Sequence, residues 1–314
     1  MANDSLAVVL GGAGFLGSHL VEALLDQGRR VRVFDRANVD LRNLQDLRGD
    51  WDFVGGDFQS ESDQRLAIDG AGTVFHLIST TLPATSNQDP VFDVESNLLA
   101  SVRLLDLART SGVEKIVFLS SGGTVYGRPV DLPITEDHPT DPLVSYGVIK
   151  LGIEKYLGLY HHLHGLGYCV LRLSKPDGPR QDPAGAQGAA SVFLGRVHAG
   201  KPIEIWGDGS VVRDYIYVAD AVEGILAADA HRGDAGTYNI GSGHGVSLGD
   251  LVEAIRKVTA RTFEISYQDA RPFDVPVNVL DITRARNDLG WSPKTSLEEG
   301  LRATWSWLQG KPAG

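Results

Sequence analysis

Residues Leu6 to Gly17 read LAVVLGGAGFLG, and this short run restricts the fold more than any other part of the chain. A strand-length apolar stretch enters a cluster of glycines and leaves as an amphipathic helical pattern. Gly11, Gly14 and Gly17 form G-x-x-G-x-x-G, and Gly12, Gly14 and Gly17 also satisfy G-x-G-x-x-G. The first glycines permit a tight strand-to-helix turn, the next lets backbone approach a pyrophosphate, and the last lets the helix lie close on the sheet. Helix-start N–H groups and the helix dipole then face the phosphates. The turn follows a strand pattern and opens a helix, as dinucleotide binding requires. Asp35 ends the next strand pattern. A carboxylate there accepts from a ribose 2′-hydroxyl and repels a 2′-phosphate, which favours NAD over NADP. Arg36 beside it keeps a 2′-phosphate open. Asp57, after the third strand pattern, is placed to meet an adenine edge or simply to make a turn.

The first half alternates apolar strand patterns (Leu6–Leu10, Arg30–Phe34, Asp52–Val54, Thr73–Leu77, Lys115–Leu119, Tyr168–Leu173) with helical ones (Phe15–Asp26, Asp40–Leu47, Ser62–Ile68, Phe92–Ser111, Ser145–His164). Continuous apolar runs suit parallel strands covered on both faces. The alternation predicts an α/β fold, a Rossmann-type doubly wound parallel sheet. After Leu173 the texture changes: Lys175 to Gly188 is rich in Pro, Gly, Asp and Gln and reads as a loop. Beyond it, strand patterns (Ile203–Trp206, Val211–Val218, Thr237–Ile240, Phe263–Tyr267) mix with helical ones (Ala219–Ala230, Ser247–Val258, Ile282–Asp288, Leu297–Leu308). We expect a dinucleotide-binding domain over residues 1–175, with a returning segment at about 210–245, and a smaller substrate-binding lobe mainly over 176–314.

Charge narrows the partners. A formal net charge of -11 argues against nucleic acid, which needs a basic surface. An anionic small ligand needs only local cations, and Lys175, Arg180, Arg213 and Arg271 are candidates. No apolar run is long enough to span a bilayer and no leader pattern is present, so the expected location is the cytoplasm. The lone Cys169 sits among apolar strand residues, where a thiol is usually inert. His161, His162 and His164 close a helical pattern, where the dipole welcomes positive charge. No Cys cluster or H-E-x-x-H accompanies them, so no metal site is expected.

The chemistry centres on SYGVIK, in which Tyr146 and Lys150 stand four apart and share a helix face. An unperturbed tyrosine has a pKa of about 10. A neighbouring ammonium and a nicotinamide ring favour the phenolate. Lowering the pKa by about three units takes roughly 4 kcal/mol of differential stabilisation. The result is a base, or in reverse an acid, able to move a hydroxyl proton.

With LGGAGFLGSHL, VFDR, GDF, VFHLIST, LSSGGTVYG, SYGVIK, LRLSKPDGPRQ, GDGSVVRDYIYVAD and RPFDVP in this order, the chain resembles the extended short-chain dehydrogenases. It is most similar to the NAD-dependent epimerase/dehydratase family, near the UDP-glucose and UDP-N-acetylglucosamine 4-epimerases. The resemblance implies NAD as cofactor and a UDP-sugar as substrate. It implies that Gly11, Gly14, Phe15, Leu16 and Gly17 hold the pyrophosphate, Asp35 with Arg36 beside it the adenosine ribose, and Asp57 and Phe58 the adenine. Leu77, Ser79, Asn97 and Ser120 would line or support the cofactor pocket, and Lys150 would bond the nicotinamide ribose. Ser121 and Lys175 would meet the sugar, and Arg180, Trp206, Arg213, Arg271 and Asp274 the uridine diphosphate. Arginines can clamp a diphosphate in bidentate fashion.

The chain departs from that pattern in three places. Gly122 stands where epimerases carry Ser or Thr, so the catalytic hydroxyl comes from Thr124, from Ser121, or is absent; Thr124 is preferred. Gly123 and Thr124 replace the Asp-Glu pair of the dehydratases, which removes the groups needed to expel water. Lys175 replaces an Asn and Asp177 a common Tyr, which opens an acidic sugar. Asn278 replaces a bulky Tyr and leaves room for a 2-acetamido group. The leading expectation is 4-epimerisation, with a net sugar-nucleotide dehydrogenase or reductase as the rival and a dinucleotide-sensing module without turnover behind it. Phe92–Ser111 and Ser145–His164 are apolar on more than one face, so a symmetry mate covering the second face predicts a homodimer.

Overall fold

The computed structural model describes residues 5–185, 187–231, 233, 235–270 and 275–311. β1 (Leu6–Leu10) is buried at every position and leads into α1 (Phe15–Asp26). β2 (Val31–Asp35), β3 (Trp51–Gly55), α2 (Glu61–Ile68) and β4 (Ala71–His76) follow. The segment 40–47, expected as helix, is a series of turns closed by bonds such as Leu44 N–H to Leu41 O (2.8 Å) and Leu47 N–H to Leu44 O (3.0 Å). Leu44 alone in that stretch is buried, and one anchor is not the apolar stripe a helix needs. The long helix expected over Phe92–Ser111 is broken into α3 (Pro90–Asp93), a π-helical segment (Val94–Leu99) and α4 (Ala100–Thr110). β5 (Lys115–Ser121), α5 (Ser145–His164) and β6 (Gly167–Leu173) complete the first half.

β7 (Lys175–Asp177) lies where only loop was expected, paired in parallel with Val212–Tyr217, and α6 (Ala189–His198) is a helix that the sequence reading passed over. β8 (Ile203–Trp206), β9 (Val212–Tyr217), α7 (Val218–Ala230) and β10 (Ala235–Ile240) come next. The chain ends through β11 (Gly245–Ser247), α8 (Leu248–Thr259), β12 (Ile265–Gln268), β13 (Val277–Asn278), α9 (Thr283–Leu289) and α10 (Leu297–Gln309).

Two compact units result. The first comprises Met1–Gly127, Pro139–Arg172 and Ile225–Tyr238. Its seven-stranded sheet has the order β10-β6-β5-β4-β1-β2-β3, and the β3–β2–β1–β4–β5 pairs are parallel. This is a Rossmann-like α/β sheet. Its core gathers Val8, Leu10, Phe34, Ile68, Val74, Leu104, Ile116, Phe118, Ile149 and Ile153 from strands and flanking helices. The strand order reverses at β1, so the ligand crevice of such a sheet lies at the carboxyl ends of β1 and β4. The returning segment is tied in locally: Lys115 Nζ donates to the carbonyls of Ala228 (2.8 Å), Asp229 (3.3 Å) and His231 (2.7 Å), and Arg29 pairs with Asp229.

The second unit comprises Arg128–His138, Leu173–Gly224 and Asn239–Gly314. β9 is its hub, pairing with β7, β11 and β13, while β8 pairs with β12. α6, α8 and α10 close over a core that includes Phe193, Leu194, Ile205, Leu251, Ile255, Leu301 and Trp305. Ser296 and Glu299 form a capping box that starts α10. Among the described residues no helix is long and apolar enough to cross a membrane, and no group of His, Cys, Asp or Glu could hold a metal.

Candidate active site

The glycine turn is built for close approach. Gly11 has φ of +85°, in the left-handed region that favours glycine. A Cβ on Gly17 would stand 2.2 Å from Gly11 O and 2.7 Å from Gly12 Cα, so only glycine lets α1 sit against the turn. A Cβ on Gly14 would meet a single neighbour, Gly11 O at 3.3 Å, and Gly14 is exposed at the start of α1 with no side chain capping the helix. The first-turn N–H groups therefore face an open cradle of the kind that takes a pyrophosphate. Asp35 accepts from Ala13 N–H (3.2 Å) and Arg36 N–H (2.9 Å), and Asn43 Nδ2 donates to Ala13 O (3.3 Å). These bonds hold the carboxylate at the turn while leaving it lone pairs for ribose hydroxyls. The Arg36 residue is exposed. Asp57 is an exposed turn residue whose Oδ1 accepts from Gln59 N–H (2.9 Å). The Phe58 ring is buried against His76, centroids 5.1 Å apart, which leaves its backbone for any ligand contact.

Leu77 N–H donates to Leu10 O (3.0 Å), so the loop after β4 starts beside the glycine turn. That loop carries Ser79, whose hydroxyl lies beside the Tyr146 phenol and donates to Thr81 O (3.0 Å). α5 brings Tyr146 in because its first turn is pressed against the loop after β5: a Cβ on Gly147 would stand 2.7 Å from Thr124 O. Lys150 Nζ donates to Leu119 O (2.9 Å) and lies 5.6 Å from the centre of the Tyr146 ring and 4.8 Å from that of Phe118. Thr124 Oγ1 is buried with no hydrogen-bond partner among the described residues, an orphaned hydroxyl of the kind a ligand completes. The Ser121 carbonyl accepts from Thr124 N–H (3.4 Å) and Val125 N–H (3.2 Å) and makes the turn that presents it. Ser120 Oγ donates to Glu154 Oε1 (2.5 Å).

The electrostatics differ from the expectation. Burial, reinforced by the charge on Asp93, pushes the Tyr146 phenol up to about 12 against the lowering influence of the neighbouring Ser79 hydroxyl. Burial likewise lowers Lys150 to about 8, against the raising charges of Asp93 and Glu154. The phenol is therefore held in its protonated form by the protein's own groups. Reaching a phenolate near neutral pH takes more than the roughly 4 kcal/mol reckoned from an unperturbed phenol. The difference has to come from charges brought in by ligands. His76, buried between Phe58 and Phe118, is pushed down to about 3 by burial and by Lys150, and its Nε2 lies 2.8 Å from Ser101 Oγ.

The π-helical segment places Asn97. Its Oδ1 accepts from Thr80 N–H (2.9 Å) and its Nδ2 donates to Thr80 Oγ1 (2.7 Å) and Asp93 Oδ1 (2.9 Å). Such bulges recur where a helix must re-aim a side chain. Behind α5, Glu154 and Arg172 form a buried pair (2.7 Å), and Arg172 Nη1 donates to Tyr126 Oη (3.0 Å).

In the second unit, register brings three candidates onto neighbouring strands. Arg213 of β9 faces Asn278 of β13, and Tyr215 of β9 faces Lys175 of β7. Arg213 Nη1 donates to Val275 O (2.8 Å), and Asn278 is buried. Arg180 follows β7 with φ of +69°, a conformation rare for a side-chain-bearing residue and common at functional sites. Trp206 ends β8 with 42% of its surface exposed, so it is not a core aromatic. Burial pushes the Asp177 carboxyl up to about 7. Arg271 and Asp274 lie outside the described residues.

Residues 7–241 match the family described as NAD dependent epimerase/dehydratase. The chain belongs to that family. A UDP-glucose 4-epimerase of Mycolicibacterium smegmatis is 35% identical over 308 residues, covering 97% of this chain and 98% of the relative. A UDP-glucose 4-epimerase of Thermotoga maritima, solved with UDP-glucose, superposes with a TM-score of 0.92 at 35% identity, covering 97% of this chain and 99% of that one. A UDP-glucose 4-epimerase of Thermus thermophilus, solved with NAD, gives 0.88 at 34% identity, covering 97% and 99%. As a member of the epimerase/dehydratase family the protein is an NAD-dependent enzyme, and the glycine cradle with Asp35 fits that cofactor. The sequence reading did not find Asp93, Thr80 or Thr81, which surround Asn97; Asp93 stands one helical turn before it, and that spacing was the available signal.

Proposed function

We propose that the protein interconverts the C4 epimers of a UDP-hexose or UDP-N-acetylhexosamine through a 4-keto sugar. The carrying observation is the Tyr146 phenol beside Ser79 of the loop next to the glycine turn, with the Lys150 ammonium 5.6 Å from its ring centre and the Thr124 hydroxyl, unpartnered among the described residues, on the loop pressed against its helix. NAD, when bound, supplies a positively charged ring and takes up and returns the C4 hydride. Tyr146 takes the C4 hydroxyl proton as that carbon is oxidised and gives it back when the ketone is reduced on its other face. Lys150 holds positive charge near the phenol and binds the cofactor ribose. Thr124 donates to the oxygen at C4 and steadies its developing charge. The glycine turn and Asp35 keep the cofactor in place, and no net redox change occurs, so it stays with the protein.

Arg180, Trp206 and Arg213, with Arg271 and Asp274, are the residues proposed for the uridine diphosphate. Binding energy spent on that remote group leaves the pyranose free to turn. Asn278 is read as making room for a 2-acetamido group, and Lys175 as a contact for a phosphate or a sugar carboxylate. The names of the relatives support the UDP-sugar class. We also infer a homodimer: Val148, Tyr156, Leu159 and Leu163 on α5 and Val94 and Leu99 on the π-helical segment expose an apolar face.

The test is proton NMR of the purified protein with UDP-hexoses, UDP-N-acetylhexosamines and UDP-hexuronates, without added cofactor. Interconversion of C4 epimers is expected, and Tyr146→Phe should abolish it. Turnover that instead consumes added NAD mole for mole would make the enzyme a net dehydrogenase.

A further inference from the structure

Asp93 ends α3 with 1% of its surface exposed. Its Oδ1 accepts from Thr81 Oγ1 (2.7 Å) and Asn97 Nδ2 (2.9 Å), and its Oδ2 accepts from Ser145 Oγ (2.7 Å). Each partner comes from a different segment. Thr81 belongs to the loop that carries Ser79, Asn97 to the π-helical segment, and Ser145 to the first turn of the helix that carries Tyr146 and Lys150. All three donors are neutral, so they satisfy the carboxylate without cancelling its charge, which acts through a low-dielectric interior.

We propose that Asp93 is the positioning residue of this site, clamping the Ser79 loop to the start of the Tyr146 helix and setting a buried negative charge against both Tyr146 and Lys150. The inference rests on the reading of Tyr146 as the base. The clamp has a second attachment: Ser86 Oγ accepts from Tyr146 N–H (3.1 Å) and Asn87 Oδ1 from Ser145 N–H (2.8 Å), so the stretch between β4 and α3 also holds the backbone at the helix start.

The groups facing Tyr146 are Ser79 from the loop, Asp93 from α3 and Lys150 from its own helix. Those facing Lys150 are Asp93, Glu154 and the neutral His76. Glu154 is already paired with Arg172, while Asp93 forms no ion pair among the described residues and acts on Lys150 through its charge. Its charge favours the protonated form of both neighbours: the phenol keeps its proton and the amine its charge. The sign for activity follows. A base is active only above its pKa, so activity falls away on the acid side, and removing the Asp93 charge moves that acid limb to lower pH.

Asp93→Asn keeps the shape and removes the charge. The acid limb of its kcat profile is expected to move down by about one pH unit. Tyrosinate titration of the purified protein, read as ultraviolet difference absorbance between Asp93→Asn with and without Tyr146→Phe, is expected to move the same way. Ser145→Ala keeps the charge and cuts one attachment, and it reads the clamp whether or not Asp93→Asn folds; its kcat is expected to fall about tenfold with the acid limb unmoved. A folded Asp93→Asn whose limb and titration coincide with wild type overturns the electrostatic role, and an unchanged kcat in Ser145→Ala overturns the clamp. Either result alongside an inactive Tyr146→Phe strikes Asp93 alone. An active Tyr146→Phe strikes the assignment of the base itself.

Discussion

The Thr124 hydroxyl is buried and unpartnered, a state that costs stability and persists at sites where a ligand supplies the missing bond. Two measurements should therefore move independently in Thr124→Ala. Epimerase kcat is expected to fall about a hundredfold, while Tm should hold or rise, because the substitution removes an unsatisfied polar group. A merely structural Thr124 would lose stability and keep kcat. Ser121→Ala is the matched control, since Ser121 is the other hydroxyl on that turn; a hundredfold loss there and none in Thr124→Ala would exchange their roles. The same scale explains why the phenol's electrostatics were not legible. Tyr-x-x-x-Lys spacing announces that a lysine shares the helix face, but it carries no information on desolvation. Burial and the Asp93 charge push the Tyr146 phenol up to about 12 rather than below its ordinary value.

At the scale of elements, the strand–turn–helix unit of β1 and α1 tolerates least. Gly17→Ala would drive a methyl into Gly11 O, so a loss of about 1–3 kcal/mol in stability by urea titration is expected, with cofactor lost from the purified protein. Retention of both stability and cofactor would mean that α1 has room to shift. Elements with a strong local pattern were readable from sequence: β1 and α5 carry their own apolar runs, and α5 even begins and ends at the expected residues. Elements that depend on a distant partner were not. β7 is three residues long and exists because β9 accepts it. The turns at 40–47 contain helix-forming residues but bury only Leu44. The π-helical segment interrupts an otherwise regular helical pattern because Asn97 is recruited by Thr80 and Asp93, and those contacts are set by tertiary structure. In the candidate site the glycines, Asp35, Tyr146 and Lys150 were legible because each belongs to a local motif. Asp93 and the retaining contacts of Ser79 were not, since they act across segments.

At the scale of the whole molecule, the exposed face of α5 is the feature with the most direct consequence for assembly. Val148 is 53% and Leu159 45% exposed, on a chain whose net charge of -11 otherwise opposes self-association. Placing Asp at both positions adds buried like charge to the proposed interface. Sedimentation at micromolar concentration is expected to shift from dimer for the wild type to monomer for the double variant. A wild type that sediments as monomer would remove the homodimer from the proposal.

Neither unit is a single stretch of sequence, and this governs how the protein can be taken apart. A fragment stopped at Leu173 would carry the whole Tyr146 machinery yet lack β10, leaving β6 as a raw sheet margin. It would also strand the Lys115 amine without the three carbonyls that receive it. The nucleotide-binding half is thus no detachable module: dissecting this enzyme by truncation removes part of the very sheet the fragment was meant to preserve.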